Sequence, residues 1–168
     1  MLCGRPHWGA RRIKMIKEED FKLEYEIKEK DKDVIFLPYL EDCNFKNEKK
    51  ISYYDSTLNL MKLFKQQNIS SSLGIGTIND CVFADNHSAD WFGPTLFIST
   101  LLISQNPQLI SILLSIIANY VYDLFKGKNK DPNVKFSVVL EKKDGTKKIR
   151  YEGPVSGVKE IEKIVNGK

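Results

Sequence analysis

Pro94-Thr-Leu-Phe-Ile-Ser-Thr-Leu-Leu-Ile-Ser104, then Gln105-Asn106-Pro107, then Gln108-Leu-Ile-Ser-Ile-Leu-Leu-Ser-Ile-Ile-Ala-Asn-Tyr-Val-Tyr-Asp-Leu-Phe125 is the stretch on which the fold turns. Gly93-Pro94 is a helix-start signal, because a proline at the first helical position gives up an N–H that would lack an intrahelical acceptor anyway. Residues 95–104 are mostly Leu, Ile and Phe and predict a short helix. Gln105-Asn106-Pro107 breaks it, and Asn106 suits the cap of a second helix that runs to about Lys126 and stops at Gly127. The expected fold is α+β, with a small antiparallel sheet packed on a central apolar helical hairpin.

In the second helix the polar residues Ser111, Ser115, Asn119 and Asp123 are four apart throughout. At about 100° per residue they form one slowly drifting stripe, and nearly everything else from Leu109 to Phe125 is apolar. A helix so apolar is buried on several sides. Burial in the chain's own core is the first expectation. Burial in a protein partner or a second copy is the next, with Tyr120, Tyr122 and Phe125 as anchors, since aromatic residues dominate such contacts. Membrane insertion ranks last. Asn119 and Asp123 lie inside the segment, an ionised Asp is costly there, and the first helix is too short to span.

After Gly127 the chain is easily read. Residues 134–140 alternate as a strand, Lys143-Asp144-Gly145-Thr146 supplies hairpin turn chemistry, and residues 147–151 return. Beyond Gly153-Pro154 a short amphipathic helix places Val158, Ile161, Ile164 and Val165 on one side. Upstream, residues 21–28 alternate apolar and charged side chains, the pattern of a half-buried strand. Residues 34–37 form an apolar run before Pro38, fit to be its returning strand. Asp55 or Ser56 begins a helix that ends near Gln67, with Leu58, Met61, Leu63 and Phe64 as its apolar face. Residues 69–77 read as a Ser/Gly-rich loop and 78–91 as an irregular polar segment. A flexible arm is expected over residues 1–20 and a single α+β domain over 21–168. The arm's basic residues precede no apolar stretch of the kind a signal peptide carries.

The composition, 42% hydrophobic and 29% charged, is that of an ordinary globular chain. The net charge of +4 is uneven, because residues 126–168 hold 12 Lys/Arg against 6 Asp/Glu. Lys142, Lys143, Lys147, Lys148 and Arg150 gather on the hairpin, but no aromatic residues are interleaved with them to stack bases. A solvated face is expected there rather than a nucleic-acid site. Cys3, Cys43 and Cys81 are too widely spaced for a disulfide framework or a zinc ribbon, which points to reduced thiols in the cytoplasm.

The most chemical-looking cluster is Asp85-Asn-His87-Ser-Ala-Asp90. Carboxylates and a neutral imidazole ligate divalent metals, so Asp85, His87 and Asp90 define the alternative of a small metal-assisted hydrolase. The simpler expectation is loop turns, with Asp90 helping to cap the helix that begins soon afterwards. Gly74-Ile75-Gly76 lacks the frame of a dinucleotide fingerprint, and no G-x-S-x-G surrounds Ser70-Ser71-Ser72. No cofactor is called for.

The order of apolar helix, lysine-rich linker, hairpin and short amphipathic helix, over residues 120–126, 135–151 and 154–165, resembles the effector-associated small α+β components of bacterial conflict systems. That resemblance implies a non-enzymatic regulatory or adaptor piece and assigns no catalytic residue. The functional expectation is a cytoplasmic binding or regulatory module acting through a protein partner or self-association. A membrane-active protein is the third alternative.

Overall fold

Asn133-Val-Lys-Phe-Ser-Val-Val-Leu-Glu-Lys142 alternates side chains between two faces and forms a strand, β7, paired antiparallel with Gly145–Pro154, β8. Lys142 lies opposite Gly145, whose φ of +121° suits only glycine at the tight turn. Val134, Phe136, Val138, Ile149 and Tyr151 of this hairpin face the main core. The computed structural model describes residues 14–23, 26–27, 29–38, 51–84, 90–142 and 144–166. The remaining strands are β1 (Met15–Asp20), β2 (Val34–Leu37), β3 (Ile51–Tyr54), β4 (Ser71–Leu73), β5 (Cys81–Ala84) and β6 (Trp91–Ile98). The helices are α1 (Ser56–Gln66), α2 (Thr100–Gln105), α3 (Leu109–Leu124) and α4 (Glu160–Val165), the last preceded by a 3-10 turn at Val155–Gly157.

Six strands make one mixed sheet in the order β1-β8-β7-β6-β2-β4, while β3 and β5 form a separate parallel pair. Two parallel neighbours are joined by helical crossovers: β2 to β4 through α1, and β6 to β7 through α2 and α3. β6 and β2 run antiparallel, and each crossover steps outward from that central pair. Connections of the same hand then put both helices on one face. Leu60 and Phe64 of α1 accordingly share one buried cluster with Leu109, Leu113, Ile117 and Val121 of α3. On the opposite face Ile35, Leu37, Phe97 and Val139 form a smaller cluster with Ile27, against which Phe21 and Leu23 pack.

The expected central helical hairpin is not there. Residues 91–98, whose latter part reads as a helix, are the strand β6, and only Thr100–Gln105 of the first apolar run is helical. Leu96 and Ile98 face the helices and Phe97 the other side, so the strand is apolar on both faces and shows no alternation. Pro94 is tolerated because Phe92 pairs with Lys135 and Thr95 with Ser137, which leaves Gly93 and Pro94 in a bulge outside the ladder. Ser99 then turns the chain and accepts a hydrogen bond from the Leu101 N–H at 3.3 Å as cap of α2. α3 is buried along one arc, which it shares with the sheet, α1, the 3-10 turn and α4. Its buried Leu109, Ile110, Leu113, Leu114, Ile117 and Val121 each stabilise it by about 1.5–3 kcal/mol, an upper range for full burial.

Nor is Val34–Leu37 the partner of a strand at residues 21–28. β2 lies between β4 and β6. The N-terminal strand is Met15–Asp20, in the stretch read as an arm, and it pairs with β8 at the far edge. Short strands β4 and β5 occupy parts of the segments read as loops. α1, the hairpin and α4 stand close to where the sequence places them.

Gly93 is pinned by packing: a Cβ there would come within 2.3 Å of the Trp91 ring and 3.0 Å of Phe136 Cβ. Gly93→Ala is expected to lower stability by about 1–3 kcal/mol through overpacking, read as a lower midpoint in urea with an unchanged slope. An unshifted midpoint would contradict the close approach of Trp91.

Candidate functional site: the groove beside the edge strand

α1 has two useful faces. Ser56, Thr57, Leu60 and Phe64 are buried against the sheet, whereas Leu58, Met61, Lys62 and Lys65 lie on an adjacent row at helical spacing. That second row walls a groove of about 620 Å³, completed by Ile69, Ser70, Ser71 and Ile78. Leu58 and Met61 are half-buried, the two lysines are exposed, and Ile78 is an apolar side chain left 53% exposed. The lining holds two cations and no acid among the described residues. Among the described residues neither Lys62 nor Lys65 forms an ion pair.

The groove's strand wall begins at a tightly bonded joint. α1 ends at Gln66, and Asn68, just past the C-cap Gln67, has a φ of 61°, a left-handed conformation that Asn tolerates. Ser70 then locks to Asp33: its N–H donates to Asp33 Oδ2 at 2.9 Å, its hydroxyl to the same oxygen at 3.0 Å, and Asp33 N–H donates to Ser70 Oγ at 3.0 Å. This sets the start of β4 beside β2. Past its end the Tyr53 hydroxyl donates to the Ile75 carbonyl at 2.9 Å and accepts from the Ile75 N–H at 3.2 Å. The Gly74–Gly76 bend is thereby tied to β3. Burial pushes the Tyr53 phenol up to about 12, against the lowering effect of its bond to Ile75.

A second concavity of about 320 Å³ lies on the helix-free face, with Phe92, Thr95, Lys135, Ser137, Lys148 and Arg150 among its walls. Its cations are engaged. Lys135 meets Glu152 at 3.1 Å and caps the Phe92 ring, Arg150 meets Glu19 at 2.9 Å, and Lys148 sits over Phe21. Lys142 pairs with Glu18 at 3.4 Å and Lys147 with Asp20. The acidic strand β1 thus lies along the basic hairpin and answers most of its charge.

The residues singled out in the sequence fall in several places. Tyr120 is half-buried, edge-on to Trp91 at 6.1 Å between centroids, and its hydroxyl accepts from Asn59 Nδ2 at 3.2 Å. Phe125 packs on the core, and Tyr122, 38% exposed, is the most open of the three. Ser115, Asn119 and Asp123 face solvent and Ser111 is half-buried, so the polar stripe lies opposite the buried arc of α3. Asp85 and His87 are outside the described residues. Asp90 stands half-buried just before β6, and no group of three metal-ligating side chains occurs among the described residues. No helix among them is long and apolar enough to cross a membrane. Lys62, Lys65 and Ile78 were not among the residues singled out. Leu58 and Met61 read as core; their offset from Leu60 and Phe64 around the helix leaves Leu58 outside the core cluster and Met61 at its margin.

No protein-family model, curated protein or solved structure matches this chain.

A phenol whose folded pKa exceeds its unfolded value contributes stability that is fully present below about pH 10 and is lost as pH rises through the folded value. Tyr53 and Tyr151 are both raised in this way by burial. Stability is therefore expected to be level at neutral pH and to fall from pH 10 towards 12, with a shallower fall in Tyr53→Phe. Thermal melts across that range check it, and a Tyr53→Phe profile that parallels the wild type would contradict the role given to this phenol. At neutral pH the same substitution should cost about 1–3 kcal/mol, because it strands the Ile75 backbone groups.

Proposed function

We propose that this chain is a non-enzymatic binding module that acts through a protein partner. The observation that carries the reading is the groove between α1 and β4, an apolar trough at the end of a sheet with two lysines that form no ion pair among the described residues. Apolar surface flanked by uncompensated charge of one sign suits recognition of a partner better than it suits chemistry, which needs convergent acid, base or nucleophile groups. Self-association through Tyr122 and the outer side of α3 remains part of the proposal, supported by the exposure of Ile112 and Tyr122 there. A cytoplasmic setting follows from the reduced-thiol reading of the cysteines. Placement in a bacterial defence or conflict system rests on the resemblance of residues 120–165 alone.

Two measurements test this. The purified chain, offered model ester, phosphodiester and peptide substrates with added Zn²⁺ or Mn²⁺, is expected to turn over none of them. Turnover abolished by His87→Ala would overturn the non-enzymatic reading in favour of the hydrolase. Sedimentation velocity, with the chain alone and with each product of the adjoining genes, is expected to give a complex in at least one case. A chain that stays monomeric at high concentration and ignores every such product would contradict the binding module.

A further inference from the structure

We propose that the groove takes an extended acidic–apolar segment of a partner protein, which adds to the sheet as a strand alongside β4. The proposal rests on the binding-module reading and specifies its ligand. β4 pairs with β2 on one side only, so it forms a sheet edge among the described residues. In that parallel ladder Val34 N–H donates to the Ser70 carbonyl and Gly74 N–H to the Phe36 carbonyl, which by parity turns Ser72 towards β2. The N–H and C=O groups of Ser71 and Leu73 therefore point away from β2 and have no hydrogen-bond partner among the described residues; half-buried Ser71 lines the groove, and Leu73 beyond it is buried. Such groups are the template on which an extended peptide pairs.

The two ends of the sheet differ in the way this requires. The β1 edge carries Lys17, Glu18, Glu19 and Asp20, and charges along an edge discourage pairing. The β4 edge is Ser71-Ser72-Leu73, without a charge of its own. Beside it lies the trough of Leu58, Met61 and Ile69 with Ile78 at the lip, ready for an apolar side chain of an added strand. Lys62 and Lys65 stand one helical turn apart on the far wall. Carboxylates on the segment complete an arrangement in which backbone pairing gives affinity, the trough selects an apolar residue and the lysines select negative charge.

The test is selection of short random peptides displayed on phage against the full chain, followed by affinity measurement on the free peptides. Enriched sequences are expected to combine Leu, Ile, Val or Phe with Asp or Glu. The double variant Lys62→Glu/Lys65→Glu should weaken them by roughly tenfold or more, since two attractive pairs become repulsive. N-methylation along a bound peptide should abolish binding at alternate positions only, the signature of strand pairing. Ser71→Pro, which places a ring on the outer edge and leaves the ladder to β2 intact, should abolish binding while the far-ultraviolet spectrum and melting temperature stay near wild type.

Peptides that bind yet ignore both the charge reversal and the N-methylation pattern would overturn this assignment and leave the binding-module reading standing. Failure to enrich any peptide would overturn the assignment too, and the gene-neighbour complex measured separately then decides the broader reading. Self-association of the wild type lost in Lys62→Glu/Lys65→Glu would place a second copy in the groove, and displacement of peptide by RNA or heparin would make the lysines a polyanion contact. Either result contradicts the proposal.

Discussion

The parallel pairing of β6 with β7 is the constraint on which the rest of the structure depends. Parallel neighbours cannot be joined by a tight turn, so the chain between Ile98 and Asn133 has to travel back across the sheet. α2 and α3 make that journey. A helix of α3's length would be marginal alone in water, and it holds because six apolar residues of one arc are buried in the main core. The same geometry fixes where α1 goes. It crosses from β2 to β4 in the opposite sense, lands on the same face and closes the main core against α3.

From this arrangement the ends of the sheet acquire different characters. At one end β8 presents Lys147 and Arg150 and β7 presents Lys142, and β1 brings Asp20, Glu19 and Glu18 across to meet them. Such exposed ion pairs contribute little each, so the ladder and the partial burial of Ile16 hold the strand while the charges favour its register. At the other end β4 is three residues long and uncharged, and α1 overhangs it with a row of side chains that core packing buries only in part. The core fixes α1 by Leu60 and Phe64 with Met61 packed against them, which leaves Leu58, Lys62, Lys65 and the outer side of Met61 to serve another purpose.

Much of this was legible in the residues. The alternation of β7 and β8, the turn glycine at Gly145, the start and end of α1 and the apolar side of α4 follow from local patterns that tertiary structure does not override. β6 was not legible, for a physical reason. A middle strand buried on both faces is a continuous apolar run, which period alone does not separate from a buried helix. Gly93-Pro94 then imitates a helix start while serving as a bulge. Met15–Asp20 hides for the opposite reason: an edge strand stabilised by pairing with a basic neighbour needs little apolar alternation of its own. The groove was hidden because Leu58 and Met61 look like core until the rotation of α1 against the sheet is known. Lys62 and Lys65 look like any solvated lysines.

The architecture depends on Trp91–Ile98 being the middle strand between β2 and β7. Nuclear magnetic resonance of the labelled chain tests this most directly. Extended-strand shifts are expected for residues 91–92 and 95–98, with contacts from Leu96 to Val138 and from Phe97 to Ile35, and a helix that begins only after Ser99. Helical shifts with successive amide-to-amide contacts running unbroken from Thr95 to Ser104 would contradict it.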